Sequence, residues 1–401
     1  MKKNLLLLIL SIILVFLSIF TYYYCWHSQA CSLYDIPILT ESDTQIEETP
    51  KKEDINFNMA VVGDIMCHNS QYNDAFVSST GSYDFSYVFE DIKDYINSAD
   101  IAVGNLETTF AGKARGYSNY PTFNTPEQLA TNLKNLGIDV LSTANNHSLD
   151  KSYSGLVSTL NYLDEACISH TGTNTSWEQQ KTTLVKDVNG VKIAFLAFTY
   201  GTNGIPIPSG KEYCVNLIDK NLILEQIKIA KKQNPDLICV NMHWGLEYQT
   251  KQNKDQENWA NFLFENGVDV ILGSHPHVLQ PMEKKTITLD DGTTKDCFVI
   301  YSLGNFISGQ TKVNTRNSVI LNISFTKNGE TDATTINEVS YVPIYMYKAS
   351  SGNRKYRVLD IEKSIANYES GIDTSIGSSV YSTLKTEFNK IKNTMGENII
   401  F

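Results

Sequence analysis

From Asn56 onward, short β-branched apolar runs alternate with amphipathic helical patterns, and this alternation restricts the fold more than any other feature. The strand patterns are Phe57–Val62, Ile101–Val103, Asp139–Ser142, Val191–Phe198, Leu237–Met242, Val268–Leu272, Phe298–Tyr301 and Val319–Phe325. Between them, Phe85, Val88, Phe89, Ile92 and Ile96 share one helical face. Thr125-Pro126-Glu127-Gln128 reads as an N-cap with a capping box, Leu129, Leu133 and Leu136 continue that helix, and Gly137 stops it. Asp255–Asn266 repeats the pattern and ends at Gly267. Strands interleaved with helices predict an α/β fold built on a largely parallel sheet covered by helices. Beyond about residue 310 the pattern changes to consecutive strands, then a polar tail with a helix near Val380–Ile391.

The histidines fall on this framework in a telling way. Five of the seven (His68, His147, His243, His275 and His277) stand just past a strand pattern, as do Asp64, Glu107, Asn146 and Asp150. Ligands bind at the carboxyl ends of strands in such sheets, and parallel strands would deliver all these groups to one edge. Imidazole, carboxylate and amide oxygen together suit Mn²⁺, Fe²⁺ or Zn²⁺. The donors suffice for two divalent ions about 3.5–4 Å apart, with a carboxylate between them.

A single histidine after a strand is ordinarily a solvated loop residue; five with carboxylates at short offsets make a metal site the better reading. His27 and His170 lack such company. Asp150 and Glu247 read equally as orienters of a histidine or as solvated loop acids. Trp244 reads as packing, and Cys67 as a small buried neighbour of the site. Gly204 to Lys211 only superficially resembles a phosphate-binding loop, with one residue too many and Glu212 in place of Ser or Thr. There is no G-x-S-x-G or G-x-G-x-x-G. A net charge of −11 argues against nucleic acid, whose phosphates need clustered Lys and Arg. The seven scattered cysteines contain no C-x-x-C and support neither a disulfide framework nor a zinc ribbon.

At the N-terminus, Lys2 and Lys3 precede an apolar run from Leu5 to Phe20, closed by Tyr22, Tyr23, Tyr24 and Trp26. The run approaches the roughly 20 residues that span a bilayer, and the aromatic group marks an interface. The expected organisation is a cytoplasmic end (1–4), an uncleaved transmembrane signal anchor (5–26) and an acidic extracellular spacer (27–55). The folded domain (56–348) and a polar C-terminal extension with a terminal helix (349–401) follow. The expected location is the cytoplasmic membrane, crossed once, with the domain outside.

Taken in series, six segments resemble the signature blocks of the CapA family of bacterial poly-γ-glutamate capsule biosynthesis proteins, relatives of calcineurin-like metallophosphoesterases. They are Gly63-Asp64-Ile65-Met66-Cys67-His68, Gly104-Asn105-Leu106-Glu107, Ala144-Asn145-Asn146-His147, His243-Trp244-Gly245-Leu246-Glu247-Tyr248, Gly273-Ser274-His275-Pro276-His277-Val278 and Tyr301-Ser302-Leu303-Gly304-Asn305-Phe306. The resemblance runs from about residue 57 to 348. It implies a four-layer metallophosphoesterase-like sandwich, two β-sheets face to face and flanked by helices. By motif, it implies that Asp64, His68 and His277 hold one metal and that Asn146, His243 and His275 hold the other. Glu107 would bridge the two, His147 would be the general acid and Asp150 its orienter. Two departures stand out: Asp64 and His68 are separated by three residues where phosphoesterases have one, and the bridge is Glu rather than Asp. The implied partners are an anionic envelope polymer such as poly-γ-glutamate, the membrane, and membrane-bound polymer synthetase subunits.

Three functions are compatible with the sequence: a metal-dependent phosphoesterase, a γ-glutamyl amide hydrolase or transferase, and a non-catalytic metal-dependent polymer-handling protein. The anchor has a direct test. Protease added to intact cells should remove the domain and leave a short membrane stub, whereas a soluble mature protein starting near Ala30 would reject the anchor.

Overall fold

The computed structural model describes residues 52–288, 292–372 and 376–401. The anchor expected over residues 5–26, and the spacer as far as residue 51, lie outside the described residues. Among the described residues no helix is long and apolar enough to cross a membrane.

The strands that matter for the site are β1 (Ile55–Ile65), β2 (Ile101–Leu106), β3 (Val140–Ser142), β4 (Ser169–Thr171), β5 (Leu184–Val188), β6 (Val191–Thr199), β7 (Leu237–His243), β8 (Val270–Ser274), β9 (Leu279–Thr288), β10 (Thr294–Leu303), β11 (Asn305–Ile307), β12 (Asn317–Lys327), β13 (Thr334–Lys348), β14 (Tyr356–Asp360) and β15 (Ile399–Ile400). Among the described residues they form a nine-stranded sheet, ordered β14-β13-β12-β1-β2-β3-β4 with β11 on β1 and β15 on β13. A six-stranded sheet is ordered β9-β10-β8-β7-β6-β5. The nine-stranded sheet is parallel from β1 through β4 and antiparallel from β1 through β12 and β13 to β14, whereas the six-stranded sheet is parallel from β10 through β8 and β7 to β6, with β9 and β5 antiparallel at its two edges. The sheets are therefore mixed, less parallel than the alternation alone suggested.

Side chains of a strand alternate between its two faces, and that period builds the layers. Along β1, Phe57, Met59 and Val61 join a core that also takes Val191, Ile193 and Phe195 of β6, so the two sheets pack face to face. Ala60 and Val62, on the other face of β1, meet Leu129, Ala130, Leu133 and Leu136 of helix α1 (Gln128–Leu136). Ala194, Leu196 and Phe198 of β6 turn away from the inter-sheet core, toward helices α2 (Lys220–Lys231) and α3 (Lys254–Glu265). The result is four layers: helices, sheet, sheet, helices.

Three expectations need correction. The face from Phe85 to Ile96 is not one helix but a 3₁₀ turn, Ser86–Phe89, and a short helix, Lys93–Asn97, although its apolar residues are all buried. Helix α1 starts at Gln128 because Thr125 is not its cap; the Thr125 hydroxyl bonds that of Thr108 at 2.7 Å. Residues 349–401 are no peripheral extension. β14 adds to the nine-stranded sheet, and Leu384, Ile391 and Met395 of helix α4, here Ser378–Met395, enter the inter-sheet core.

Two glycines set close approaches beside the future site. A Cβ on Gly63 would lie 2.0 Å from the Gly304 carbonyl oxygen, and one on Gly273 would lie 2.0 Å from that of Tyr301. Without a side chain there, β1 draws up to β11 and β8 to β10.

Phe195 is fully buried between the sheets. Phe195→Ala should cost about 3–5 kcal/mol in chemical denaturation, the usual price of removing a core aromatic ring. A loss below about 1 kcal/mol would show that the inter-sheet core is not close-packed there.

Candidate metal centre

The carboxyl ends of the central parallel strands of both sheets meet at one edge. Asp64 lies at the end of β1, where the register with β2 and β11 shifts, a local irregularity that re-aims a side chain. Glu107 follows β2, and Asn146 and His147 follow β3. The other sheet contributes His243, the last residue of β7, and His275 and His277, just beyond β8. His275 and His277 have φ of 97° and 59°, left-handed values that non-glycine residues adopt only where the surroundings enforce them.

Two groups of potential metal donors result. Glu107, His243 and His275 form one, and Asp64, Glu107 and His277 the other, with the donor atoms of each within 4.8 Å of one another. Glu107 is common to both. Its Oε1 lies 3.6 Å from His243 Nε2 and 3.7 Å from His277 Nε2, and Asp64 Oδ2 lies 3.3 Å from His277 Nδ1. The Asn146 side-chain oxygen joins the first group, 3.0 Å from His243 Nε2.

Neighbouring side chains hold these donors in orientation. Asn105 donates to Asp64 Oδ1 at 2.8 Å. The Asn305 amide nitrogen donates to the His277 and Thr315 carbonyls and to Gln310, which turns its oxygen toward His277 Nδ1 at 3.1 Å. Ser274 Oγ sits 3.0 Å and the Asn105 amide nitrogen 3.4 Å from His243 Nδ1, which leaves Nε2 as the ring nitrogen facing Asn146 and Glu107. Asn105, Ser274 and Asn305 lie inside the family-like segments, but no pattern there marks their orienting contacts.

The electrostatics fit a cation. Glu107 is fully buried, yet neither carboxylate oxygen receives a hydrogen bond, and His275 Nδ1 also lacks a partner. A buried carboxylate without donors is costly unless a cation or proton neutralises it. In the metal-free chain, burial and then the Asp64 carboxylate hold the Glu107 carboxyl well above its ordinary range. Burial and then His275 hold His243 well below the imidazole range, and burial and then His277 push His275 down to about 3. Neutral imidazoles are the form that ligates metal.

Beside the donors, His147 Nδ1 lies 2.7 Å from Asp150 Oδ2, and the same oxygen accepts the Phe123 backbone N–H at 2.6 Å. Asp150 is thus buried and paired with the ring, not a solvated loop acid. Phe123 stands edge-on to both His147 and His68. No sequence signal marked Phe123, because its contact depends on how the 112–125 loop folds back.

His68 stands apart from the two groups. It joins neither donor group. Its Nδ1 accepts the Gly309 N–H at 3.1 Å, and its half-buried ring borders the centre near His277 and His147. After the three residues that separate it from Asp64, His68 is the N-cap of the helix Asn69–Asp74. Glu247 is exposed, Trp244 is packed on Tyr301 and donates to its carbonyl, and His170 pairs with Asp164 away from the centre. Burial raises the Cys67 thiol far above its usual range, which removes it as a nucleophile.

A family model described as bacterial capsule synthesis protein PGA_cap matches residues 58–310. The capsule biosynthesis protein CapA of Bacillus anthracis is 30% identical over 317 residues, 77% of this chain and 74% of that protein. The PGA biosynthesis protein CapA of Bacillus subtilis is 31% identical over 293 residues, 70% of this chain and 72% of that one. Among solved structures, NAD nucleotidase from Haemophilus influenzae superposes with a TM-score of 0.44 at 13% identity, covering 85% of this chain and 61% of that one. The calcineurin-like phosphoesterase YfkN from Bacillus subtilis does so with a TM-score of 0.40 at 12% identity, covering 73% and 91%.

The depressed histidines predict an acid sensitivity of the metal-free chain. His275 is neutral in the fold, and its ordinary value is 6.5, so its contribution to stability is complete above about pH 6.5 and is lost as pH falls toward 3. The denaturant midpoint of the metal-free protein should drop between pH 6.5 and 4, and less steeply in His275→Gln. Equal slopes would mean that the folded chain protonates this ring freely.

Proposed function

The chain belongs to the bacterial capsule synthesis protein family PGA_cap, and from that premise we propose that it serves capsule polymer biosynthesis through a metal-dependent hydrolase centre of phosphoesterase type. One observation carries the hydrolase part. Glu107 is buried, free of hydrogen-bond donors and common to two donor groups, an arrangement suited to a carboxylate shared between two cations. Asp64 and His277 would hold one ion, and Asn146, His243 and His275 the other. The nitrogen and oxygen donors suit Mn²⁺, Fe²⁺ or Zn²⁺. When bound, such a pair lowers the pKa of water and stabilises charge developing on a phosphoryl or acyl group.

The chain's own residues supply the rest. Asp150 accepts the Nδ1 proton of His147 and fixes both tautomer and ring direction, so Nε2 is the atom that exchanges a proton with a leaving oxygen. Phe123 presses on the ring and its backbone N–H holds Asp150, which restricts the motion of the pair. A protein that only guided a polymer would need no such dyad beside its metals, and this favours turnover over passive binding. The proposed substrate is an anionic envelope polymer such as poly-γ-glutamate, in keeping with the Bacillus subtilis relative described as a PGA biosynthesis protein. The proposal keeps the domain outside the cytoplasmic membrane, supported by the Leu5–Phe20 run behind Lys2 and Lys3. There, membrane-bound synthetase subunits would be its partners.

Two variants test this reading. Glu107→Ala should remove both metals and all activity. His147→Ala should keep both metals and the fold but lose on the order of 10²–10⁴ in rate, and far less on a substrate whose leaving group needs no proton. Full rescue of a capsule-deficient deletion strain by His147→Ala, with its metals in place, would overturn the enzyme reading.

A further inference from the structure

The two donor groups are oriented by unequal means. The Asp64 and His277 side relies on Asn105 and Asn305, both buried within strand ends. On the other side, the Asn146 amide nitrogen donates to Asn203 Oδ1 at 3.2 Å, and this bond turns the Asn146 oxygen toward His243. Asn203 is exposed, on the loop that follows β6. Its backbone is left-handed, with φ of 52°, and its oxygen also accepts the Tyr200 hydroxyl at 3.4 Å. The turn is tied to the centre: the Tyr200 N–H donates to the His243 carbonyl, and the Tyr200 ring lies 4.6 Å from that of His275.

We propose that Asn203 is the positioning residue that decides which amide atom of Asn146 faces the centre, making the metal position of Asn146, His243 and His275 the more easily emptied of the two. The physical reason is specific. An amide presents either an acceptor oxygen or an NH₂ group, and only the oxygen ligates a cation. With Asn203 accepting from the nitrogen, the oxygen is committed to the metal side. Without it, the NH₂ group can turn toward His243 Nε2 and make a good hydrogen bond there, which competes with metal. The buried asparagines of the other position have no comparable exposure to solvent. This inference rests on the two-metal reading above.

The test uses the full chain loaded with Co²⁺, followed by visible absorption and by stoichiometry during graded chelation. Asn203→Gly keeps a residue suited to the left-handed backbone and removes only the acceptor, whereas Asn203→Asp keeps both. The wild-type chain should release its two equivalents in two steps. Asn203→Gly should weaken only the first-released equivalent, by about 10–100-fold, the usual effect of losing such an outer partner. Asn203→Asp should restore it, with the cobalt spectrum of wild type. Two equivalents held with wild-type affinity in Asn203→Gly would overturn the inference and leave the metal centre standing. A wild-type chain that takes up no cobalt would overturn both.

Discussion

A carboxylate with no hydrogen-bond donor, buried where two sheets meet, is the constraint around which this molecule is organised. Glu107 could be buried far more cheaply as an amide or an apolar residue. Its position calls for a cation or a proton to neutralise it, while burial and neighbouring imidazoles keep His243 and His275 neutral. The orienting asparagines and serine, the left-handed His275 and His277 and the His147–Asp150 pair all gather around that carboxylate. Stability is given up at the edge of the sandwich, while the inter-sheet core supplies it elsewhere.

The two sheets have different tasks. The nine-stranded sheet presents oxygen donors (Asp64, Glu107 and Asn146), and the six-stranded sheet presents imidazoles (His243, His275 and His277). Neither sheet has a donor set of its own. The centre therefore exists only when Phe57, Met59 and Val61 pack against Val191, Ile193 and Phe195, which makes inter-sheet packing a condition for binding as well as for folding.

Much of this was legible in the sequence. The eight strand patterns correspond to strands of the two sheets because their β-branched runs are local signals. The donor residues were visible because each follows a strand at short distance, and a parallel strand carries its carboxyl end to a shared edge. Other features depended on tertiary contacts. His68 looked like its neighbours, yet it caps the helix Asn69–Asp74 and its Nδ1 is taken by the Gly309 N–H. Asn203 and Phe123 act through folded loops, which have no period to read. Residues 349–401 appeared polar because a strand and helix at the rim of a sandwich bury only one stripe each, and Leu384, Ile391 and Met395 are too sparse to look like a core.

That late segment bears on how the chain reaches its folded state. Phe57 and Met395 belong to one apolar cluster although more than three hundred positions separate them in the sequence. Contacts of such span are entropically slow to form, and a nascent chain elongates from its amino end. β1 therefore waits, with one edge unpaired, until its antiparallel neighbour β12 and then the helix Ser378–Met395 are made. During that interval the chain exposes an unpaired strand edge, the kind of surface that invites non-native pairing.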